Sequence, residues 1–499
     1  LEAMARADDT YGEVAKEFQS IVLETEYFDT DYRTAIRNQA MQTPSEELSQ
    51  FLTDMLSIIN SGGDMERFLE DQKEKQMRTS KQEQETVLET LELFGEMYMT
   101  LSLFPLLLII IIVIMSMLGE SQSTLLYGTV YGLIPLVGIG FLVLVSTVVA
   151  DEVGDGYLRT DDETADGSTG MFDLGLIEAY SGRYPIFSRI RSREGTYVTL
   201  EILRQPHLFF RDHPLAVLAI TGPVSLVSVG FAVLSGVAPT TLGGMMGAPI
   251  RGTFFWVYVP LYLNVVPLTV FYEWNVRSRR SITNNLSDSL RKLSSANDTG
   301  MTLLESLKVV ADTSSGRLAN EFRVMYAKVN YGTSLRTALR EFNNSYHIPR
   351  LARTVKLISK AQEASSQITQ VLSTAAQASE NQDDIERERK SQTRMQMVII
   401  IMTYVTLLGV MALLKVEFLD TMAALVDSTG GSSEVPGAGG GFGGSIDIDE
   451  LTMLFFHAVT IQGVISGIIA GYIREVSILA SMKFVVVLQT IALVVFMLI

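Results

Sequence analysis

The 499-residue chain contains no cysteine, which excludes disulfides, thiolate catalysis and iron–sulfur clusters. Histidine is scarce: His207, His213, His347 and His457 are too dispersed to suggest a zinc site, and no His-Glu-x-x-His occurs. No Gly-Lys pair exists, so no P-loop can cradle nucleotide phosphates. The formal Gly-x-Gly-x-x-Gly at residues 439–444 has no strand before it and sits in a low-complexity stretch. No Ser, His and Asp grouping stands out. The expectation is a protein that is not itself an enzyme and that holds no cofactor or metal. Residues 1–20 are charged and lack the apolar core of a cleavable signal.

What the chain does have is apolar length. Hydrophobic residues make up 47% of it, an ordinary total, but they are gathered into windows long enough to cross a bilayer as helices. Seven are read, at residues 98–118, 124–150, 215–238, 251–272, 396–414, 453–472 and 479–499. Residues 1–97, 151–214 and 273–395 carry the Arg and Lys, whereas 119–123, 239–250 and 416–452 have neither. Positive loops stay in the cytoplasm, so the chain starts inside and ends outside the cell membrane. The Asn-x-Ser/Thr matches at Asn285, Asn297 and Asn343 then fall on the cytoplasmic side and are discounted as glycosylation sites.

The net charge is −17, which does not suit nucleic-acid or anionic-lipid binding and fits a protein kept hydrated in high salt. A halophilic source is expected. Polar groups inside the spans are few: Asn264, His457, Gln462, Lys483 and Gln489, with no mid-depth Asp or Glu. An ion-coupled carrier normally needs such a carboxylate, so a secondary transporter is disfavoured. His457 and Gln462 are read as interhelical hydrogen-bonding groups. Gly463, Gly467 and Gly471 recur every four residues, so another helix of this chain or of a second subunit can approach closely there.

The chain also repeats itself. Gly12-Glu-Val-Ala-Lys-Glu-Phe18 matches Gly316-Arg-Leu-Ala-Asn-Glu-Phe322, and Arg33-Thr-Ala-Ile-Arg37 matches Arg336-Thr-Ala-Leu-Arg340. Pro44 lies near the counterpart of Pro349, and Leu69 falls on Leu372. In the second copy Leu286, Leu290 and Leu293, then Leu318, Phe322, Met325 and Val329, recur at helix spacing. Gly300 and Gly332 interrupt the pattern, Thr302 and Glu305 have the spacing of a capping box, and Pro349 opens another helix. Each unit reads as a bundle of about six short amphipathic helices ending in a span. The first copy has no counterpart of residues 286–304 or of the spans at 215–238 and 251–272, and the chain begins with Leu1. A natural start roughly 90 residues or more upstream is expected.

The organisation is thus a first cytoplasmic bundle at 1–97, spans in 98–150, a cytoplasmic region at 151–214, spans in 215–272, a second bundle at 273–395, a span at 396–415, an external Gly-rich loop at 416–452, and a last span pair at 453–499. Residues 151–170 read as an acidic linker and 427–445 as a flexible external loop. The fold class is all-α, polytopic, with two repeated cytoplasmic bundles. Arg387, Arg389, Lys390 and Arg394 lie where the second bundle enters a span, and Lys73, Lys75, Arg78 and Lys81 lie in nearly the same place in the first. They are either solvated positive flanks or a docking surface for an acidic cytoplasmic partner.

The run Gly300-Met-Thr-Leu-Leu-Glu-Ser-Leu307, then Gly332-Thr-Ser-Leu-Arg-Thr-Ala-Leu339, Pro349 and a helix ending in a span resembles the type II secretion F domain. Two copies per chain are the family arrangement. The stretch from Phe455 to Gly471 resembles the archaeal branch that serves archaella and pili. One departure stands out: Glu363-Ala-Ser-Ser366 replaces the family's Glu-x-Gly, while the first copy keeps Gly62-Gly63. The resemblance implies an inner-membrane platform for a filament of pilin or archaellin subunits. It further implies a separate hexameric cytoplasmic ATPase as motor, and commonly a homodimer. The alternative within the same resemblance is an export platform of the type II secretion kind.

Overall fold

The computed structural model describes residues 2–5, 12–117, 123–148, 156, 158, 206–364, 368–419 and 448–499. Among the described residues there is no strand. In chain order the helices are α1 Glu2–Ala5, α2 Glu13–Tyr27, α3 Tyr32–Gln42, α4 Glu46–Ser61 and α5 Met65–Met117. Next come α6 Ser123–Val148, α7 Pro206–Asp212, α8 Pro214–Leu234, α9 Leu242–Met246, α10 Pro249–Thr253 and α11 Val259–Thr283. Then follow α12 Leu286–Asp298, α13 Leu303–Thr313, α14 Arg317–Asn330, α15 Leu335–Asn344 and α16 Pro349–Ala364. The last are α17 Ile368–Leu413, α18 Ile448–Glu475 and α19 Ile478–Leu498. The expected linker at 151–170, the loop at 427–445 and residues 365–367 of the Glu363 motif lie outside the described residues, except for Gly156 and Leu158.

The chain forms two compact units. One comprises Leu1–Glu83, Asp151–Arg204 and Val276–Glu386; the other comprises Gln84–Ala150, Gln205–Asn275 and Arg387–Ile499. The first unit contains both bundles. Its helices begin where side chains satisfy the free N–H groups of a first turn. Asp31 accepts from the Arg33 N–H, Ser45 from Leu48 and Ser334 from Thr337. Thr302 and Glu305 form the reciprocal capping box that their spacing suggests. Gly300 and Gly332 have φ of 89° and 100°, ending helices in the left-handed region that residues with a Cβ rarely adopt.

The repeat holds helix by helix. Helices α2, α3, α4 and α5 start at Glu13, Tyr32, Glu46 and Met65; α14, α15, α16 and α17 start at Arg317, Leu335, Pro349 and Ile368, each 303 or 304 residues later. Buried positions repeat too: Phe18 with Phe322, Ile21 with Met325, Ala35 with Ala338, Ile36 with Leu339, Leu52 with Val355 and Met55 with Ile358. Leu286, Leu290 and Leu293 are buried as the periodicity implies. The sequence match of Leu69 with Leu372 does not carry over to environment. Leu372 is fully buried and Leu69 is 44% exposed.

The second unit carries the membrane helices. Among the described residues seven helices are long and apolar enough to span, lying within Met65–Met115, Ser123–Val148, Pro214–Leu234, Pro249–Asp298, Ile368–Glu417, Asp449–Glu475 and Ile478–Leu498. This is a multi-pass membrane protein. The boundaries at 97/98 and 395/396, set by the change in hydropathy, are not structural breaks: α5 and α17 run unbroken through them. Hydropathy marks what surrounds a helix, whereas a helix ends only where its backbone hydrogen bonds end. Pro105 sits inside α5 without ending it, as neighbouring helices allow in membrane proteins.

The few polar groups of the spans find partners. Gln462 donates to the Tyr98 hydroxyl (3.1 Å), which pairs with Ser466 (2.8 Å). His457 contacts the Tyr131 hydroxyl through one ring nitrogen and Thr253 Oγ1 (2.7 Å) through the other. Asn264 accepts from Thr221 and donates to Ser225, each at 3.0 Å. Gln489 donates to the Thr460 carbonyl at 2.7 Å. Each such bond between helices is worth about 0.6–2 kcal/mol. Lys483 reaches Glu273 (3.4 Å) and Glu475 (3.5 Å), so its charge is neutralised within the unit.

Candidate functional site

The features that distinguish this chain converge on the two long helices. The first-unit ends of α5 and α17 pair with each other. Gln370 donates to Glu66 at 3.3 Å, and Asn381 Nδ2 lies 3.2 Å from Met77 Sδ. Both pairs join residues 304 apart, whereas the repeat along these two helices runs at 303. Each residue therefore meets the neighbour of its own counterpart, and because both pairs share one offset the two helices run parallel, one residue out of register. In the second unit the same two helices approach again. A Cβ added at Gly95 would lie 3.3 Å from Gln396 Oε1, and Tyr98 shares a buried cluster with Met397 and Ile400.

The basic residues singled out in the sequence lie on these helices, but they are not repeated position by position. The 303-residue register places Lys81 at Asp384 and Arg387 at Gln84. On α5, Lys75, Arg78 and Lys81 are exposed, and Lys73 pairs with Glu70 at 2.7 Å. On α17, Arg387 and Arg394 are exposed, whereas Arg389 and Lys390 are half-buried. Arg389 Nε is buried and has no partner among the described residues. Gly463, Gly467 and Gly471 face α19 of the same chain. A Cβ at Gly471 would lie 2.3 Å from Ser481 Cα, and one at Gly467 would lie 2.8 Å from the Val485 backbone. The stripe is thus occupied by an intrachain helix pair. His457 and Gln462 serve the hydrogen bonds described above.

Sequence reasoning missed the polar interior of the second bundle. Arg350 pairs with Asp383 at 2.7 Å, with side-chain exposures of 7% and 15%. The guanidinium also donates to Ser379, and Ser287 donates to the second Asp383 oxygen at 2.9 Å. Nearby, Arg317 donates to the Tyr346 hydroxyl (2.9 Å), which donates to Glu321 (2.6 Å). Burial, reinforced by the bond to Glu321, pushes the Tyr346 phenol up to about 12. At the α15–α16 corner Asn343 and Asn344 hold Gly156 and Leu158. In the sequence Asn343 appeared only as a discounted Asn-x-Ser match; two adjacent asparagines at the end of an amphipathic helix were the available signal.

Two copies of one helical bundle, each running into a span through an unbroken helix, define a duplicated, polytopic membrane scaffold. The model of type II secretion system protein F matches the chain twice, at residues 1–113 and 289–414. The chain therefore carries two type II secretion protein F domains in a multi-pass membrane protein. A family of this kind works with a secretion ATPase and pilin-type subunits. An uncharacterized protein of Methanocaldococcus jannaschii is 18% identical over 491 residues, covering 96% of this chain and 73% of the relative. No solved structure matches the chain.

Proposed function

We propose that this chain is the membrane base on which pilin-like or archaellin-like subunits are built into a filament, and that it is not an enzyme. Energy comes from a separate hexameric cytoplasmic ATPase that engages the bundles. The observation carrying this reading is the pair of F domains, each continuous with a membrane helix through α5 or α17. The 53-residue helix α5 carries the chain from bundle to span with no loop between them. The acidic balance of the chain and the resemblance of its last spans favour an archaeal, salt-adapted member, and the family resemblance favours a homodimer. An export platform of the type II secretion kind is the nearest alternative. Co-purification with a secretion ATPase, read together with the appendage lost on deletion, separates a filament base from an export platform.

The orientation follows from the loops without Arg or Lys. A reporter active only outside the cytoplasm is expected to work when fused within residues 427–445 and to fail within 151–170; the opposite pattern overturns the orientation. Arg387, Arg389, Lys390 and Arg394 are proposed as the contact for the ATPase. Each exposed pair contributes below about 1 kcal/mol, so several must act together. Reversing all four charges is expected to abolish filaments while membrane yield and protease accessibility stay normal. Normal filaments and normal ATPase pull-down in that variant would reduce the cluster to a solvated flank.

A further inference from the structure

The second bundle contains a built seat for Gly156 and Leu158. Asn344 grips the backbone of Leu158 from both sides: the Leu158 N–H donates to Asn344 Oδ1 at 2.9 Å, and Asn344 Nδ2 donates to the Leu158 carbonyl at 3.0 Å. This is the pairing a neighbouring strand would offer, supplied by one side-chain amide. Asn343 is fully buried, and its Nδ2 donates to the Gly156 carbonyl at 2.9 Å. Its Oδ1 is buried and has no partner among the described residues. Leaving the buried Nδ2 donor without an acceptor as well would add a further cost, so the Gly156 carbonyl and the Asn343 amide support each other.

Shape adds selectivity to these polar contacts. Leu158 is 5% exposed and belongs to the core cluster of the second bundle, so it is an apolar anchor. Gly156 has φ +68°, and a Cβ there would lie 2.6 Å from the His347 carbonyl carbon and 2.7 Å from its oxygen. His347 itself has φ 50°, a conformation uncommon for a residue with a side chain. The seat thus demands glycine at one position and a buried aliphatic residue two positions later.

The first bundle shows what the corner looks like without the clamp. By the repeat register Ala40 and Met41 stand where Asn343 and Asn344 stand in the second. Among the described residues that corner is an open depression of about 500 Å³ lined by Arg37, Met41, Thr43, Pro44, Thr53 and Leu56. The two corners share helices and differ in the amides, so the clamp is a property of the second bundle rather than of the repeated fold.

We infer that Asn343, Asn344 and the backbone turn at His347 form a Gly-x-Leu peptide clamp. In this chain it is occupied in cis by Gly156 and Leu158. The clamp ties those two residues to the second bundle, and it accepts the same short sequence in trans once they are withdrawn. The inference rests on contacts within one unit and is independent of the proposed filament role.

Hydrogen exchange on the full-length protein in membrane mimetic tests it. The Leu158 amide is expected to be protected, and Asn344→Ala and Gly156→Ala are each expected to raise its exchange at least about tenfold. The Leu339 amide, in the α15 core, serves as the folding control and is expected to stay unchanged. Asn344→Asp keeps the acceptor for the Leu158 N–H, loses the donor, and should fall between. A synthetic peptide of residues 151–162 is expected to bind the Gly156→Ala protein and not the wild type, and the same peptide carrying Gly156→Ala to bind neither. If Asn344→Ala also exposes Leu339, the Gly156→Ala protein, altered outside the bundle helices, decides. Unprotected Leu158 in the wild type, unchanged Leu158 exchange in Gly156→Ala, or no peptide binding to that variant would overturn the clamp.

Discussion

The two bundles of the first unit are built from the same helices and differ in what covers them. In the second bundle, α12 and α13 supply Leu286, Leu290, Leu293, Leu303 and Leu307 to one buried cluster with Leu318, Leu335 and Leu372. In the first bundle the counterparts of those last three residues are Val14, Tyr32 and Leu69, which are 52%, 45% and 44% exposed. The helices form alike because each has its own cap and its own apolar period. Burial is decided by whether a further helix lies on the same face. A repeated sequence therefore specifies repeated helices, but not repeated cores.

That contrast can be broken most severely at the ion pair. Arg350 is buried and Asp383 half-buried in the second bundle, whereas the first has the exposed Glu47 at the position of Arg350. Removing one partner of a buried pair strands the other charge, so Arg350→Ala is expected to lower the stability of the second bundle by about 3–5 kcal/mol. Glu47→Ala is expected to stay within about 0.5 kcal/mol. Local unfolding free energies from hydrogen exchange of α14–α16 and of α2–α4 measure the two. Arg350→Met combined with Asp383→Leu should recover most of the loss, because no charge is then left unpaired.

A smaller difference is expected between the two matched leucines. Leu372→Ala empties a fully buried site and should cost about 2–5 kcal/mol, while Leu69→Ala, at a half-open site, should remain near about 0.5 kcal/mol. Equal effects, read in the same exchange experiment, would show that the two cores are alike after all.

The smallest effect sharpens the comparison at a helix that follows its own cap. Thr302→Ala removes the N-cap of α13 and should weaken that helix by about 1 kcal/mol. Hydrogen bonds from the Thr302 backbone N–H, then from its hydroxyl, hold the Glu305 carboxyl below its ordinary value. A depressed folded pKa gives a contribution that is complete above the unfolded value and is lost as pH falls through the folded one. Acidification should therefore loosen α13 in the wild type, and Thr302→Ala, which loses the hydroxyl but keeps the backbone N–H, should retain the larger part of that dependence. Amide exchange across α13 at several pH values provides the check.

Much of this architecture was legible in the residues. The seven apolar windows, the 303–304 register, the Thr302–Glu305 box and the helix start at Pro349 are local patterns, and local patterns survive in one dimension. The unbroken passage of α5 and α17 from bundle to span was not, because the change from charged to apolar side chains resembles a boundary while the backbone continues. The intrachain use of Gly463, Gly467 and Gly471 was half legible: small residues announce close approach, but not which helix approaches. The Asn343–Asn344 clamp and the Arg350–Asp383 pair were hidden for a different reason. Their partners lie 186 and 33 residues away, and no periodicity links a side chain to a partner brought to it by the fold.

The pairing of Glu66 with Gln370 and of Met77 with Asn381 has a consequence for how a duplicated sequence diverges. On a seam one residue out of register, a perfectly faithful copy would set Glu66 against a second Arg67, the residue whose counterpart is Gln370. With Gln370 in that place the ion pair is replaced by a neutral amide donor facing the carboxylate. Two identical chains could not make this distinction, since any substitution would appear on both sides at once. Carrying both halves in one polypeptide lets each side of the seam acquire its own chemistry, so a repeated frame can hold a contact that two exact copies would not make.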